Sequence, residues 1–128
     1  MVGPEVGGAW IVRVSVAVAV TLPLVALGAE GIVSVASNEV PDLMSHMTEL
    51  ALAGNWTEAR ELHYRLLPLM EVNFIESSPG PVKAAMAMMG LLEENFRLPL
   101  VPITEKSRTR IREVISELGL VEAAHVGA

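Results

Sequence analysis

Gly28-Ala29-Glu30-Gly31-Ile32-Val33-Ser34-Val35-Ala36-Ser37-Asn38 is the stretch on which the fold turns. It reads as a glycine-bounded turn from Gly28 to Gly31, a β-branched run from Ile32 to Val35, and the start of a loop at Ala36. β-Branched side chains suit a pleated surface, and a short apolar run between turn residues predicts a buried strand. Just upstream, Thr21 to Leu27 has room for a short helix, in which Pro23 is tolerated in the first turn. Before that lies a second Val/Ile run, Ile11–Val20. Parallel strands covered on both faces read as continuous apolar runs of this kind. Strand, short helix, glycine turn and strand together follow the order of a βαβ unit.

The same apolar third admits two other readings. Ala9–Gly28, AWIVRVSVAVAVTLPLVALG, has 15 apolar residues out of 20, which is the length of a membrane-spanning helix. Arg13 and Pro23 interrupt it, and its valine content favours β structure. A secretory leader would have an apolar core and a small-residue site, here Ala26, Gly28 and Ala29, but also a basic start. The start of this chain offers Glu5 and no Lys or Arg.

Charge is unevenly distributed. Of 24 charged residues, Glu5, Arg13 and Glu30 are the three in the first 38 positions. The whole chain of 128 residues carries a net charge of −6 at a mean hydropathy of +0.47. An acidic chain is a poor match for nucleic acid, whose phosphates need an excess of cations. The absence of cysteine excludes disulfides and thiolate metal sites.

After Asn38 the apolar spacing becomes helical. Pro41 suits a first turn, Leu43, Met47, Leu50 and Ala51 share a face, and Gly54 ends that helix. Asn55 is placed to cap a second helix with Ala59, Leu62, Leu66, Leu69 and Met70 inward and Glu58, Arg60, Glu61 and Arg65 outward. Pro68 should kink or break it. Ser77–Pro81 reads as a loop leading into a third helix, Val82 to Met89, stopped by Gly90. Arg97–Pro102 reads as an extended connector. Thr104 caps a last helix with the stripe Ile111, Val114, Ile115 and Leu118, ended by Gly119.

Chemistry-bearing constellations are sparse. His46, His63 and His125 lack metal-ligand spacing. There is no nucleophile elbow and no phosphate-cradling glycine loop, and Ser34 reads as a small packed strand residue. The Glu58/Glu61, Glu71/Glu76 and Glu93/Glu94 pairs read as solvated faces. Two lysines are present. Lys106 lies in a polar first turn. Lys83, at an apolar helix start, reads as a snorkelling structural lysine rather than the desolvated amine that Schiff-base chemistry requires.

Thr21 to Leu120 resembles the C-terminal part of the dihydrodipicolinate synthase family, also called 4-hydroxy-tetrahydrodipicolinate synthase, among the pyruvate-dependent class I aldolases. The match is carried by Gly31–Asn38, by Gly54-Asn55-Trp56-Thr57-Glu58-Ala59-Arg60, and by Pro79-Gly80-Pro81-Val82-Lys83. Arg97 followed by Leu98-Pro99-Leu100-Val101-Pro102-Ile103-Thr104 completes it. The resemblance implies a (β/α)8 TIM barrel with a C-terminal helical extension. It also implies a lyase that condenses pyruvate, held as a Schiff base on a sixth-strand lysine, with aspartate semialdehyde in lysine biosynthesis. On that map Ile32–Val35 is the eighth strand, Val33 is an aliphatic position that contacts pyruvate, and Lys83 is a helix lysine.

The departures shape the expectation. The Schiff-base lysine, the threonine pair, the catalytic tyrosines and the carboxylate-binding arginine have no counterpart, and Tyr64 falls in a peripheral helix. Where the family has Ser-Gly-Asp-Asp-Ala, this chain reads Ser15-Val16-Ala17-Val18-Ala19, a seam between about Val14 and Val20. The expected fold class is therefore α/β: the last one or two strands of a TIM barrel plus a C-terminal helical bundle, predominantly α as an isolated chain. Residues 1–38 form the apolar segment with partial strands seven and eight, 39–120 the last barrel helix and helical extension, and 121–128 a tail. The functional expectation is a truncated, cytoplasmic dihydrodipicolinate synthase-like chain with no catalytic residue, no metal and no cofactor. Val33 is its one vestigial substrate-binding position, and pyruvate binding is doubtful. As partners the sequence favours a homo-oligomer through exposed barrel edges, with neither nucleic acid nor membrane. The alternative is a non-catalytic helical oligomerisation module pairing with itself or a longer homologue.

Overall fold

Proline and glycine set the boundaries of the longer elements in the computed structural model, which describes residues 20–121. In chain order these elements are α1 (Thr21–Ala26), a single 3-10 turn (Ala36–Asn38), α2 (Pro41–Leu52), α3 (Trp56–Val72), α4 (Gly80–Met88) and α5 (Glu105–Glu117). Pro41 opens α2, where its missing amide costs no helical bond. Gly54 closes it at φ +81°, a left-handed conformation that a β-carbon would strain. Asn55 stands at the N-cap of α3, but its side chain makes no capping bond there. Thr104 does cap α5, its hydroxyl accepting from the Ser107 amide at 3.4 Å.

The expected helices are present, with differences of register. The buried face of α2 is centred on Met44, Met47 and Ala51, one residue round from the predicted stripe, so that Leu43 and Leu50 are half-buried. Helix α3 does not break at Pro68 but runs on to Val72. The cost of losing the amide at 68, which would have bonded the Tyr64 carbonyl, is offset by Leu66, Leu69, Met70 and Val72, all buried in the core. Each such side chain contributes about 1.5–3 kcal/mol when fully buried. The Arg97–Pro102 connector is not extended throughout: it turns at Leu98-Pro99, with the Leu100 amide donating to the Arg97 carbonyl at 3.0 Å.

The strand expected at Ile32–Val35 is not formed, and among the described residues there is none. A parallel strand exists through its ladder with neighbours, and the described residues supply no partner. The α/β expectation is thus corrected to an all-helical description, in keeping with the predominance of helix anticipated for the isolated chain. The other predicted strand, Ile11–Val20, lies outside the described residues except for Val20, as do His125 and the tail beyond Val121. Among the described residues no helix is long and apolar enough to cross a membrane.

The core lies where α2, α3, α4 and α5 meet. Met44 and Met47 from α2, Leu66, Leu69 and Met70 from α3, and Ile111, Val114 and Ile115 from α5 are all almost fully buried. Methionine fills irregular gaps of this kind well because its side chain is unbranched. Gly80, at the start of α4, lets Ile103 approach so closely that a β-carbon there would lie 2.8 Å from the Ile103 Cγ2 methyl. A smaller cluster of Val25, Ala51 and Ala59 seats α1 across α2 and α3.

Candidate functional site

The residues singled out in the sequence do not converge. Val33 lies between α1 and the 3-10 turn and is 51% exposed. Ser34 is half-buried, and its carbonyl accepts from the Ser37 hydroxyl at 2.5 Å. Lys83 donates from Nζ to the Asn95 carbonyl at 2.9 Å and lies 5.3 Å from the Phe96 ring centroid. Those two contacts tie α4 to the segment that leads into the connector, the structural role expected of it. Lys106 and His46 are exposed, and Tyr64 is exposed on α3. Among the described residues no group of three or more His, Cys, Asp and Glu could hold a metal ion.

One member of each of two acid pairs read as solvated is built into the structure, while Glu71 and Glu93 are exposed. Glu76 Oε1 accepts from the Thr104 amide at 3.0 Å and from its hydroxyl at 2.7 Å. The hydroxyls of Ser107 and Thr104, with the Thr104 amide, hold the Glu76 carboxyl below the usual carboxylate range. Glu94 forms a two-pronged bridge to Arg108 at 2.7 and 2.8 Å. The Arg108 hydrogen bond holds Glu94 low, and the same bond raises Arg108. Only Glu58 and Glu61 fit the solvated description as a pair.

Sequence reasoning missed a buried polar pair. Glu39, between the 3-10 turn and α2, is 5% exposed, and Asn73, at the C-cap of α3, is 1% exposed. Asn73 Nδ2 donates to Glu39 Oε2 at 2.5 Å, while Glu39 Oε1 and Asn73 Oδ1 are buried without partners. Burial pushes the Glu39 carboxyl up to about 7 against the opposing pull of the Asn73 bond. Protonation of Glu39 removes the buried charge and turns one of its oxygens into a donor. The pair lies 34 residues apart in sequence, and no local pattern signals it.

An open groove of about 610 Å³ lies between α1 and α3. Leu22 and Pro23 form one wall and Trp56, Arg60, Tyr64 and Leu67 the other. The α3 residues recur at helical spacing, so one face of that helix builds the wall. His63, 8% exposed, reaches the same groove, and its Nδ1 is buried without a partner. Burial lowers its pKa, which keeps the ring neutral at pH 7. Glu58 and Glu61 project instead toward a second groove against α2.

Residues 15–118 match the model of the dihydrodipicolinate synthetase family. The 4-hydroxy-tetrahydrodipicolinate synthase of Koribacter versatilis is 49% identical over 108 residues, covering 84% of this chain and 36% of that protein. The crystal structure of dihydrodipicolinate synthase from Aquifex aeolicus superposes with a TM-score of 0.78 at 42% identity, covering 82% of this chain and 36% of the other. A dihydrodipicolinate synthase variant described as the first monomeric one gives the same TM-score of 0.78 at 42% identity, covering 80% of this chain and 34% of its own. The chain therefore spans about a third of the length of the proteins it matches.

Proposed function

Because the chain belongs to the dihydrodipicolinate synthetase family, we propose that it is the C-terminal segment of a dihydrodipicolinate synthase-like (β/α)8 barrel and serves a structural role. In this reading residues 1–38 derive from the last two strands, 39–120 are the final barrel helix and its helical extension, and 121–128 a tail. The family reaction is the condensation of pyruvate, held as a Schiff base, with aspartate semialdehyde in cytoplasmic lysine biosynthesis. Val33 is then a vestigial pyruvate-contact position, and this chain has no catalytic residue of its own. TIM-barrel active sites draw on the ends of several strands, so a third of the fold does not assemble one.

The observation that carries the reading is Lys83. It is the one lysine near an apolar helix start, and its Nζ is engaged by the Asn95 carbonyl and the Phe96 ring. Covalent imine formation needs a free, desolvated amine facing a pocket. Incubation of the chain with pyruvate and borohydride should therefore give no mass increment, whereas a stoichiometric adduct on Lys83 overturns the reading.

A second reading is a non-catalytic helical module that forms a homo-oligomer or pairs with a longer homologue. Exposed apolar side chains favour it: Leu27 is 85% exposed, Leu98 88% and Val101 63%. Leu98, Leu100 and Val101 are neighbours in sequence and all exposed, and a contiguous exposed apolar stretch invites association. Light scattering over a concentration series should show mass above the monomer, and a constant monomer mass rejects it.

A further inference from the structure

The groove between α1 and α3 has the composition of a ligand site independent of any barrel chemistry. Its volume of about 610 Å³ lies in the usual range for small-molecule sites, roughly 300–1,000 Å³. Leu22, Pro23 and Leu67 provide an apolar bed, and the half-exposed rings of Trp56 and Tyr64 flank it. Arg60 is the one formally charged residue among those lining it. Among the described residues Arg60 has no carboxylate within ion-pair distance, the bridges there being those of Arg108 and Arg110. The neighbouring acids on α3, Glu58 and Glu61, line the opposite groove, so among the described residues lining this one the only formal charge is that of Arg60.

We propose that this groove binds a small amphiphilic carboxylate, its aromatic or branched body lying between Leu22, Pro23 and Leu67 and its anionic group paired with Arg60. The guanidinium supplies a planar pair of donors that matches a carboxylate. Trp56 and Tyr64 cover the body, as aromatic side chains do where one end of a ligand is apolar and the other wet. His63 lies against the same bed, and its buried Nδ1 has no hydrogen-bond partner within the protein. The volume and the single cation suit a small molecule with one anionic group.

Trp56 is a built-in reporter. The chain has two tryptophans, so a Trp10→Phe background isolates its emission. Titration of that full-length protein with 3-phenylpropionate should change Trp56 fluorescence saturably. The uncharged 3-phenylpropanol should bind about tenfold more weakly, the factor that one charge-assisted pair of about 1.4 kcal/mol supplies. Arg60→Gln should abolish that preference for the acid. Ala26→Phe, which fills the groove from α1, should weaken both probes. Arg60 and Ala26 are exposed, and unchanged thermal melts establish that the variants fold. The proposal is overturned if acid and alcohol bind alike, if Arg60→Gln retains the preference, or if no probe gives a saturable signal. It is equally overturned if Trp56 emission follows protein concentration in step with light-scattering mass, which assigns the groove to a second copy.

Discussion

Replacing Glu39 by glutamine should make this protein more stable, and only above acidic pH. In the folded chain the Glu39 carboxyl titrates near 7 because burial disfavours its charge, against 4.5 for an unhindered carboxyl. Above pH 4.5 the unfolded chain releases that proton freely while the folded chain retains it until about pH 7. The unfolded state then binds fewer protons, so stability falls as pH rises through this window. At about 1.4 kcal/mol per pH unit, the penalty grows to about 2 kcal/mol at pH 6 and levels at about 3 kcal/mol above pH 7. Glutamine removes the ionisation while keeping an oxygen that can accept from Asn73 Nδ2. Urea melts of both proteins from pH 5 to 8.5 would measure the difference. At pH 5 the two should be nearly equal, since Glu39 is then protonated in the folded state; at pH 8 Glu39→Gln should lead by about 3 kcal/mol. Glu76 and Glu94 titrate in both proteins, so their loss of stability in acid cancels. Parallel pH profiles would refute the reasoning, because they would mean that Glu39 is ionised at no net cost.

Two further outcomes test the packing at the start of α4 and α5. Thr104→Ala removes the cap of α5 and the hydroxyl donor to Glu76, leaving only the amide bond to Glu76, and should cost about 1–2 kcal/mol in urea melts. Thr104→Ser should retain most of that stability, and equal losses in the two variants would count against the capping role. Gly80→Ala should lower stability by about 1–3 kcal/mol in thermal melts, since the new methyl meets buried Ile103 at 2.8 Å. If alanine instead stabilises, as its helix propensity of up to about 1 kcal/mol would have it, the close approach is not a constraint.

Local signals were the legible part of this chain. Pro41 and Gly54 bracket α2, Thr104 caps α5, and Ile111, Val114 and Ile115 form its buried stripe, because capping and periodicity act within a turn or two of the backbone. Family membership was legible for the same reason, since Arg97–Thr104 and Gly31–Asn38 are contiguous runs. The non-local features were not. Ile32–Val35 has strand composition, yet a strand requires neighbours that the described residues do not provide. Pro68 signalled a break that the buried side chains around it override. Glu39 and Asn73 meet only because the 3-10 turn and the end of α3 are brought together by the core. The α1–α3 groove depends likewise on where α1 docks, and nothing in Trp56, Arg60 and Tyr64 alone distinguishes a groove wall from an exposed face.

Glu76 and Thr104 are joined across 28 residues, and Glu94 and Arg108 are joined across the same connector. These ties bear on how the protein can change over evolutionary time. With α5 anchored by its own contacts, the segment around Arg97 and Leu98 serves as a tether whose length is lightly constrained. The entropy of closing a flexible loop grows only logarithmically, by roughly 0.6 kcal/mol per doubling. Insertions at this point should therefore be among the cheapest in the chain, whereas a change at either anchor acts on the docking of α5 itself.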